Sequence, residues 1–388
     1  GRAVVQYPSG KTPDDTEKAK YTLAPDILAQ YKLNNRSQPA ANILELQEKG
    51  IVYIDGVGGS DDLDGTTPDT AVLTLKHAYE LLKEQGGVIY VVDNVPVTGV
   101  ALTAQQYKAG TDTVSTGGPV VIRRYSVPTN PPADGFSGDK AKRPYTGALF
   151  TVNGAFELSG VTIDGHSAAL NTGSPKTTAP AVAAQAPLIE VGMGGALTVG
   201  AGAALQNNNN VSATNFGGAV GNDGTFKMIG GAIADTQASK GAAVYQNGTF
   251  YVESSPSIEG EIYLAGSGGS AKVISAADAF APANALLVNM DGAENGRDVV
   301  DYASNISDTD LPKRAALYTL ADEIAALYTL GRKNVDNSIL ELQAKNAIYI
   351  NGKGGDDGKD GQTPANAVRT LKTAFDKLKA LNGGTLYV

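Results

Sequence analysis

One stretch of sequence decides the fold. It runs from Ile51 to Val92 and reads IVYIDGVGGSDDLDGTTPDTAVLTLKHAYELLKEQGGVIYVV. A second version closes the chain from Ala347 to Val388, AIYINGKGGDDGKDGQTPANAVRTLKTAFDKLKALNGGTLYV. Ile54 aligns with Ile350, an offset of 296 residues, and GRAVVQY at residues 1–7 returns as GRDVVDY at 296–302. We therefore expect one whole repeat followed by the opening of the next, as in a longer array.

Each copy predicts a strand, a Gly/Asp-rich loop, an amphipathic helix and a second strand. Apolar residues at three- and four-residue spacing mark one helical face in each copy. In the first copy these are Val72, Leu75, Ala78, Tyr79 and Leu82, and in the second Val368, Leu371, Ala374, Phe375 and Leu378. A proline precedes each predicted helix and a Gly-Gly pair follows it, which are typical start and stop signals.

The region between the two copies predicts short strands joined by turns. GGAVGNDGTF at 217–226 returns as GAAVYQNGTF at 241–250, an offset of 24 residues, and Ile233 is followed by Ile258. A period near 24 residues with Asn-Gly and Asp-Gly turns fits one three-strand coil of a parallel β-helix. Leu149 and Leu188 lie 39 residues apart, so residues 167–186 are interpreted as a loop inserted into a coil.

The segments that precede each copy are predicted to be mainly helical connectors. The first is residues 1–50 and the second is residues 289–346. Their apolar positions at helical spacing are Ile27, Leu28, Tyr31 and Leu33 in the first, and Ala316, Leu317, Ile324 and Leu327 in the second. The predicted organisation is then a connector at 1–50, a β-helix module at 51–288 (cap 51–92, coils 93–288), a connector at 289–346 and a second cap at 347–388.

The cap unit resembles the N-terminal entry of right-handed parallel β-helices of the pectin-lyase-like group. More closely, it resembles repeated β-helix modules in very large surface proteins and adhesins of Gram-positive bacteria. The matching residues are Tyr53, Asp55, Gly56, Gly59, Asp61, Asp64, Gly65, Pro68, Thr74, Leu75, Ala78, Gly86, Gly87, Ile89, Tyr90 and Val91. The resemblance implies a mostly β, right-handed three-sheet parallel β-helix solenoid with an N-terminal capping α-helix. It also implies a secreted protein at the bacterial cell surface.

Composition narrows the possible partners. The formal net charge is −9 and no basic stripe is visible, which argues against nucleic acid as a partner. No apolar run approaches the ~18 residues that span a bilayer, so membrane insertion is not expected. The chain has no cysteine, which excludes disulfides, thiolate metal sites and cysteine nucleophiles.

The Asp-rich loop of each copy is the candidate metal site. The residues concerned are Asp61, Asp62 and Asp64 in the first copy, and Asp356, Asp357 and Asp360 in the second. Ca²⁺ needs six to eight oxygen ligands, and this run offers three carboxylates plus carbonyls without the distal glutamate of an EF-hand. The alternative is that these carboxylates accept hydrogen bonds from turn amides. No other cofactor is expected.

No catalytic residue is assigned. Enzymes on β-helices need charged groups clustered on one face, whereas the charges here are sparse. Lys227 and Glu253, about one coil apart, are predicted to form an ion pair between coils. His166 follows an Asp-Gly turn and is expected to be exposed. Five tyrosines offer ring faces for sugars, namely Tyr125, Tyr145, Tyr245, Tyr251 and Tyr263.

The sequence thus favours a non-catalytic stalk or adhesive repeat of a secreted cell-surface protein that projects or assembles as an elongated fibre. Its expected partners are neighbouring repeats, end to end, with host or cell-wall glycans as further candidates. The alternative function is a carbohydrate-binding or polysaccharide-lyase-like β-helix domain. That alternative predicts Tyr, Asp and Asn side chains converging on one sheet or at the loops 126–146 and 167–186.

Overall fold

The structure, a computed structural model, is dominated by β-strands. Strands account for 40% of the chain and helices for 12%, so the chain belongs to the mostly β class. The described residues are 2–8, 11, 14–18, 20–22, 31–35, 43–48, 50–127, 143–167, 182–381 and 384–388. The predicted helical positions Ile27 and Leu28 lie outside them.

Most strands belong to three long sheets, which we name sheets I, II and III. Sheet I contains β4 (Gly50–Asp55), β5 (Gly87–Asp93), β10 (Val120–Arg124), β13 (Thr162–Asp164), β14 (Ala183–Ala184), β17 (Ala204–Asn210), β20 (Ala232–Gln237) and β23 (Ser257–Ile258). Sheet II contains β6 (Val95–Val97), β11 (Phe150–Val152), β15 (Ile189–Val191), β18 (Val220–Asn222), β21 (Val244–Gln246), β24 (Glu261–Leu264), β26 (Leu286–Met290) and β28 (Tyr318–Leu320). Sheet III contains β7 (Val100–Thr103), β8 (Gln106–Ala109), β9 (Asp112–Ser115), β12 (Ala155–Ser159), β16 (Ala196–Val199), β19 (Thr225–Met228), β22 (Thr249–Val252), β25 (Ile274–Ala276), β27 (Asp298–Tyr302), β29 (Tyr328–Arg332) and β30 (Ile339–Ala344).

The chain visits these sheets in rotation. From β10 to β25 it runs through sheet I, sheet II and sheet III in turn, and we call one such run a passage. Each strand pairs in parallel with the strand of the same sheet in the next passage. Parallel neighbours need long crossover connections, and here the other two sheets provide them. The arrangement is compatible with a parallel β-helix.

The main core is an apolar cluster that runs between the sheets, and a separate small cluster lies in the second copy of the cap unit. Short strands with alternating buried and exposed residues place one side chain in two inside, as the strand period requires. In sheet III, Phe226 and Phe250 are registered partners whose buried rings stack with centroids 4.9 Å apart. Rows of similar side chains form in this way because successive strands of a sheet run parallel and in register.

The 24-residue echo is confirmed for one passage and varies in the others. In sheet II the registered residue advances from Phe150 through Ile189, Val220, Val244 and Ile262 to Val288, which are steps of 39, 31, 24, 18 and 26 residues. The strands keep their register while the turns between them change length. Loops of different length are tolerated because they lie outside the stacked strands.

Both copies of the cap unit fold alike. Helix α2 (Leu75–Leu81) follows β4, and helix α5 (Leu371–Ala380) follows β31 (Ala347–Tyr349). Each begins after a threonine N-cap, Thr74 or Thr370, whose hydroxyl accepts a hydrogen bond from the backbone N–H three residues on. Strand β32 (Thr385–Tyr387) then pairs in parallel with β31, as β5 pairs with β4.

The prediction of mainly helical connectors is wrong. Among its described residues, the first connector has one short helix, α1 (Asp15–Lys18), and an antiparallel sheet of β1 (Arg2–Gln6), β2 (Tyr31–Asn35) and β3 (Ile43–Glu48). The second has α3 (Leu311–Ala315), α4 (Asp322–Ala325) and strands β27–β30. The reason is visible in the repeated motif ILELQ, whose period-two alternation suits a strand better than a helix.

Neighbouring residues of β22 provide a test of the packing. Phe250→Ala removes a fully buried ring from the Phe226 row, and we expect a loss of about 3–5 kcal/mol in unfolding free energy. Tyr251→Ala, on the same strand but 42% exposed, is the matched control and should cost less than about 1 kcal/mol. Urea unfolding followed by circular dichroism measures both. Equal losses would contradict the inward orientation of Phe250.

Candidate functional site

The first candidate is the Asp-rich loop of the cap, and its carboxylates are occupied by backbone groups. Asp61 accepts hydrogen bonds at Oδ1 from the N–H groups of Leu73 and Thr74, both 2.9 Å, and at Oδ2 from the Thr74 hydroxyl at 2.7 Å. It therefore fixes the residue that caps α2. Asp64 accepts from Thr66 N–H at 3.0 Å and from the hydroxyls of Thr66 and Thr70.

The second copy repeats this arrangement. Asp357 accepts from the N–H groups of Arg369 and Thr370, both 2.8 Å, and from the Thr370 hydroxyl at 2.8 Å. Asp356 and Asp360 each accept one turn amide, from Gly358 and Gln362 respectively. Because the same aspartate clamps the same helix start twice, the turn-capping alternative raised from the sequence accounts for the loop geometry.

These contacts set the ionisation of the loop carboxylates. Burial raises the pKa of Asp61, but hydrogen bonds from Thr74 and from the Leu73 amide outweigh burial and hold it below the ordinary value. Hydrogen bonds from Thr66 and Thr70 lower the pKa of Asp64. Across the described residues, no group of three or more His, Cys, Asp or Glu side chains is arranged to hold a metal ion. The calcium site at Asp61, Asp62 and Asp64 stays a prediction.

Substitutions separate a clamp from a calcium site. Asp61→Ala removes three hydrogen bonds at the start of α2, and we expect a loss of about 1 kcal/mol in unfolding free energy, since the group is half-buried rather than fully enclosed. Asp62→Ala, whose side chain makes no such bonds, should change it by less than about 0.5 kcal/mol. Thermal unfolding with and without Ca²⁺ measures both. A metal site would instead make both variants lose a calcium-dependent shift.

The pH dependence has a defined sign. Because the folded pKa of Asp61 and of Asp64 is lowered, their stabilisation is fully present above the unfolded value of about 3.9. It is lost as the pH falls through the folded pKa values. In urea titrations at pH 6 and pH 3, the wild-type chain should therefore lose more stability than the Asp61→Ala variant.

The second candidate lies on the outer face of sheet I. Registered residues form a row across five strands, in the order Tyr53, Tyr90, Arg123, Asp164 and Gln206. The inward neighbours in the same strands, such as Ile89 and Ile122, belong to the core. The row begins at β4 in the cap unit and ends at β17, so its residues come together only in the folded chain.

Asp164 is the centre of this row. Its Oδ2 accepts from Arg123 Nε at 3.0 Å and from an Arg123 terminal nitrogen at 2.7 Å. Its Oδ1 accepts from the His166 backbone N–H at 2.8 Å and from Asn207 Nδ2 at 3.1 Å. All four side chains are buried, so the ion pair is screened little by water.

Arg124, beside this pair, is fully buried, and in the described part of the chain its hydrogen bonds go to uncharged oxygens. It donates to the carbonyls of Gly165 and Gly147 and, at 3.0 Å, to Asn208 Oδ1. Its guanidinium lies over the Tyr145 ring, 5.8 Å from the centroid. Burial lowers the pKa of Arg124 to about 10. The group remains charged at neutral pH, held by neutral acceptors and an aromatic face.

His166 corrects one expectation from the sequence. It was expected to be exposed on a turn, but it is buried, with a positive φ of 56°. Its Nδ1 lies 3.2 Å from the Arg124 carbonyl oxygen, a contact that puts the ring proton on Nδ1 and a lone pair on Nε2. Burial and the charge of Arg123 lower its pKa, so the ring is neutral at pH 7. The short turn directs the His166 ring to the Arg124 carbonyl rather than into solvent.

Three buried atoms around Asp164 have no hydrogen-bond partner among the described residues: the second terminal nitrogen of Arg123, His166 Nε2 and Asn207 Oδ1. One is a donor and two are acceptors, so the cluster has the polarity to hold a water molecule or a hydroxyl-rich ligand. Sequence reasoning missed it because Arg123 and Asp164 lie 41 residues apart. The doublet Arg123-Arg124 in an otherwise apolar strand was the available signal.

The other tyrosines lie mostly against each other or against the core. Tyr245 stacks on Tyr263 with centroids 5.9 Å apart and meets Phe216 at 4.8 Å. Lys240 covers the Tyr263 ring at 4.4 Å, and Asp291 accepts from the Tyr263 hydroxyl at 2.6 Å. These ring faces are therefore already used within the protein. Tyr251 is the exposed member of the five.

The predicted ion pair between passages is confirmed. Lys227 Nζ lies 2.8 Å from Glu253 Oε1, and both side chains are 40% exposed. An exposed pair of this kind contributes at most about 1 kcal/mol. The ion pair shows that residues 26 positions apart in the sequence lie side by side on the surface.

Comparisons with known proteins give no relative for this chain. No protein-family model, no curated protein and no solved structure matches it. None of the helices in the described part of the chain is long and apolar enough to cross a membrane.

Proposed function

We propose that this chain is a non-catalytic module of a tandem array that forms an elongated fibre at a bacterial cell surface. In this proposal residues 51–288 form a right-handed three-sheet β-helix, α2 is its N-terminal cap, and residues 347–388 are the cap of the next module. The connectors at 1–50 and 289–346 join one module to the next. The extracellular location and the stalk role rest on the resemblance of the cap unit.

One observation carries the proposal: the opening of the second repeat is built onto the last strands of the first. Strand β27 pairs in parallel with β25, and β28 pairs in parallel with β26, so sheets II and III continue into the connector. Strand β27 then pairs with β30, as its counterpart β1 pairs with β3. A junction made by continuous sheets is stiff, because bending it would break backbone hydrogen bonds.

The first connector has the surface that such a junction would cover. Val4 aligns with Val299 in the motif that opens each connector. Val299 is fully buried against the preceding strands, whereas Val4 is 46% exposed. A preceding module would cover Val4 in the same way. Each module would then bind the connector of the next module at its C-terminal end and offer its own connector at its N-terminal end.

The candidate sites are consistent with a structural role. Asp61 and Asp64 are engaged by turn amides and hydroxyls, and the charges of Arg123 and Asp164 neutralise each other in a buried pair.

A lengthened chain tests the array. In it, residues 92–388 follow Val388, so that the second cap is continued by a second module. Sheet II has eight parallel strands, and seven spacings of about 4.8 Å give about 34 Å per stack. We expect the maximum dimension from small-angle X-ray scattering to grow by at least about 34 Å over that of the 388-residue chain. Two compact bodies on a flexible tether, or one globule, would contradict the proposal.

A second candidate function is glycan recognition, favoured by the cluster on sheet I. Arg123, Asp164 and Asn207 form one hydrogen-bonded cluster, and Tyr125 and Tyr145 pack together beside it. Tyr, Asp and Asn are the side-chain types that this alternative predicts. A glycan and host-matrix array with the 388-residue chain, with and without Ca²⁺, tests it. Binding that Asn207→Ala abolishes and Tyr251→Ala spares would favour recognition. If the chain binds no glycan or matrix protein, the structural role as a module of a fibre remains the proposal.

A further inference from the structure

The helix of the first cap is covered by a specific hairpin. Strands β8 and β9 pair antiparallel and pack on α2. The Tyr107 ring lies 6.0 Å from the Tyr79 ring, and Lys76 Nζ lies 3.0 Å from Asp112 Oδ2. Beyond the hairpin, Gly117 N–H donates to the Lys83 carbonyl at the end of the helix. The hairpin and the residue Gly117 after it thus cover one side of the chain from Lys76 to Lys83.

The helix of the second cap is the same helix without this cover. Leu371 and Phe375 are 54% and 58% exposed, whereas their counterparts Leu75 and Tyr79 are 4% and 0% exposed. Lys372, the counterpart of Lys76, pairs instead with Asp376 of its own helix at 2.7 Å. The apolar face of α5 is therefore preserved in sequence but open in the folded chain.

The strand beside this helix has an open edge as well. In the first cap, β5 pairs with β4 on one side and with β10 on the other. In the second cap, β32 pairs with β31, and in the described part of the chain no strand occupies its other side. Unpaired strand edges of this kind recruit a further strand. The open helix face and the open edge correspond to the two surfaces that residues 95–124 cover in the first copy.

We infer that α5 and the free edge of β32 form a docking surface for a second copy of the segment 95–124, supplied by the same polypeptide where the array continues. This inference rests on the proposed array and names the segment that seals each cap. The hairpin would place its tyrosine over Phe375 and its aspartate beside Lys372, and the strand after it would pair with β32.

The hairpin that covers α5 is expected to come from the same polypeptide rather than from a second molecule. In the folded chain Tyr107 and Val114 are already buried against the first cap. A second folded molecule would have to unfold that hairpin before offering it. In the proposed array the polypeptide would supply this segment directly after β32, without that cost.

Cysteine labelling measures whether the face is covered. The chain has no cysteine, so single substitutions report one position each. We expect the thiol of Phe375→Cys or Leu371→Cys to react with a maleimide rapidly in the 388-residue chain. In the lengthened chain, where residues 92–388 follow Val388, the same thiol should react at least tenfold more slowly.

The matched control is Asp376→Cys, whose counterpart Glu80 stays exposed in the first cap. It should react at the same rate in both chains. A third chain, in which a short Gly-Ser link replaces the appended copy of residues 104–116, should restore fast labelling of Phe375→Cys.

The outcomes are distinct. Equal rates for Phe375→Cys in the two chains would overturn the inference, and an elongated particle in scattering would then leave the array itself standing. Protection that survives removal of the hairpin would assign the cover to another segment and overturn the occupant named here. Concentration-dependent protection in the 388-residue chain would mean that a second molecule covers the face, which also contradicts the inference.

Discussion

Parallel pairing between successive passages is the constraint on which the structure depends. The interior strands of sheets I–III pair with a strand on either side, so the backbone groups of one passage depend on the passages next to it. Inward side chains must then stack in rows, as Phe226 and Phe250 do. Buried amides follow the same rule, since Asn222 donates to its registered partner Gln246 at 2.7 Å.

A stack of this kind has two ends, and each end exposes strand edges and apolar side chains. At the N-terminal end, α2 and the β8–β9 hairpin cover the first passage. At the other end, β28 is the last strand of sheet II, and sheet III continues through β27 into the antiparallel strands β30 and β29. The proposed array assigns these end elements to the junction between neighbouring modules.

The buried cluster around Asp164 is the place where the fold departs from simple apolar packing. Two arginines and one aspartate are removed from water there, and one guanidinium relies on carbonyls, an amide and an aromatic ring. Burying an ion pair is costly unless its geometry and hydrogen bonds are good. Beside the pair, three buried polar atoms have no partner among the residues that the structure describes.

The sequence by itself determined the local units. Periodicity and capping residues placed both cap helices, the 24-residue echo gave the pairing of Val220 with Val244, and the spacing of Lys227 and Glu253 gave their ion pair. The tertiary structure decided the rest. Arg123 meets Asp164 and His166 becomes buried because passages of 18 to 39 residues keep register while their turns vary in length, a freedom that no fixed period reveals. The two cap helices share a pattern but differ in burial, because burial depends on which distant segment packs against them.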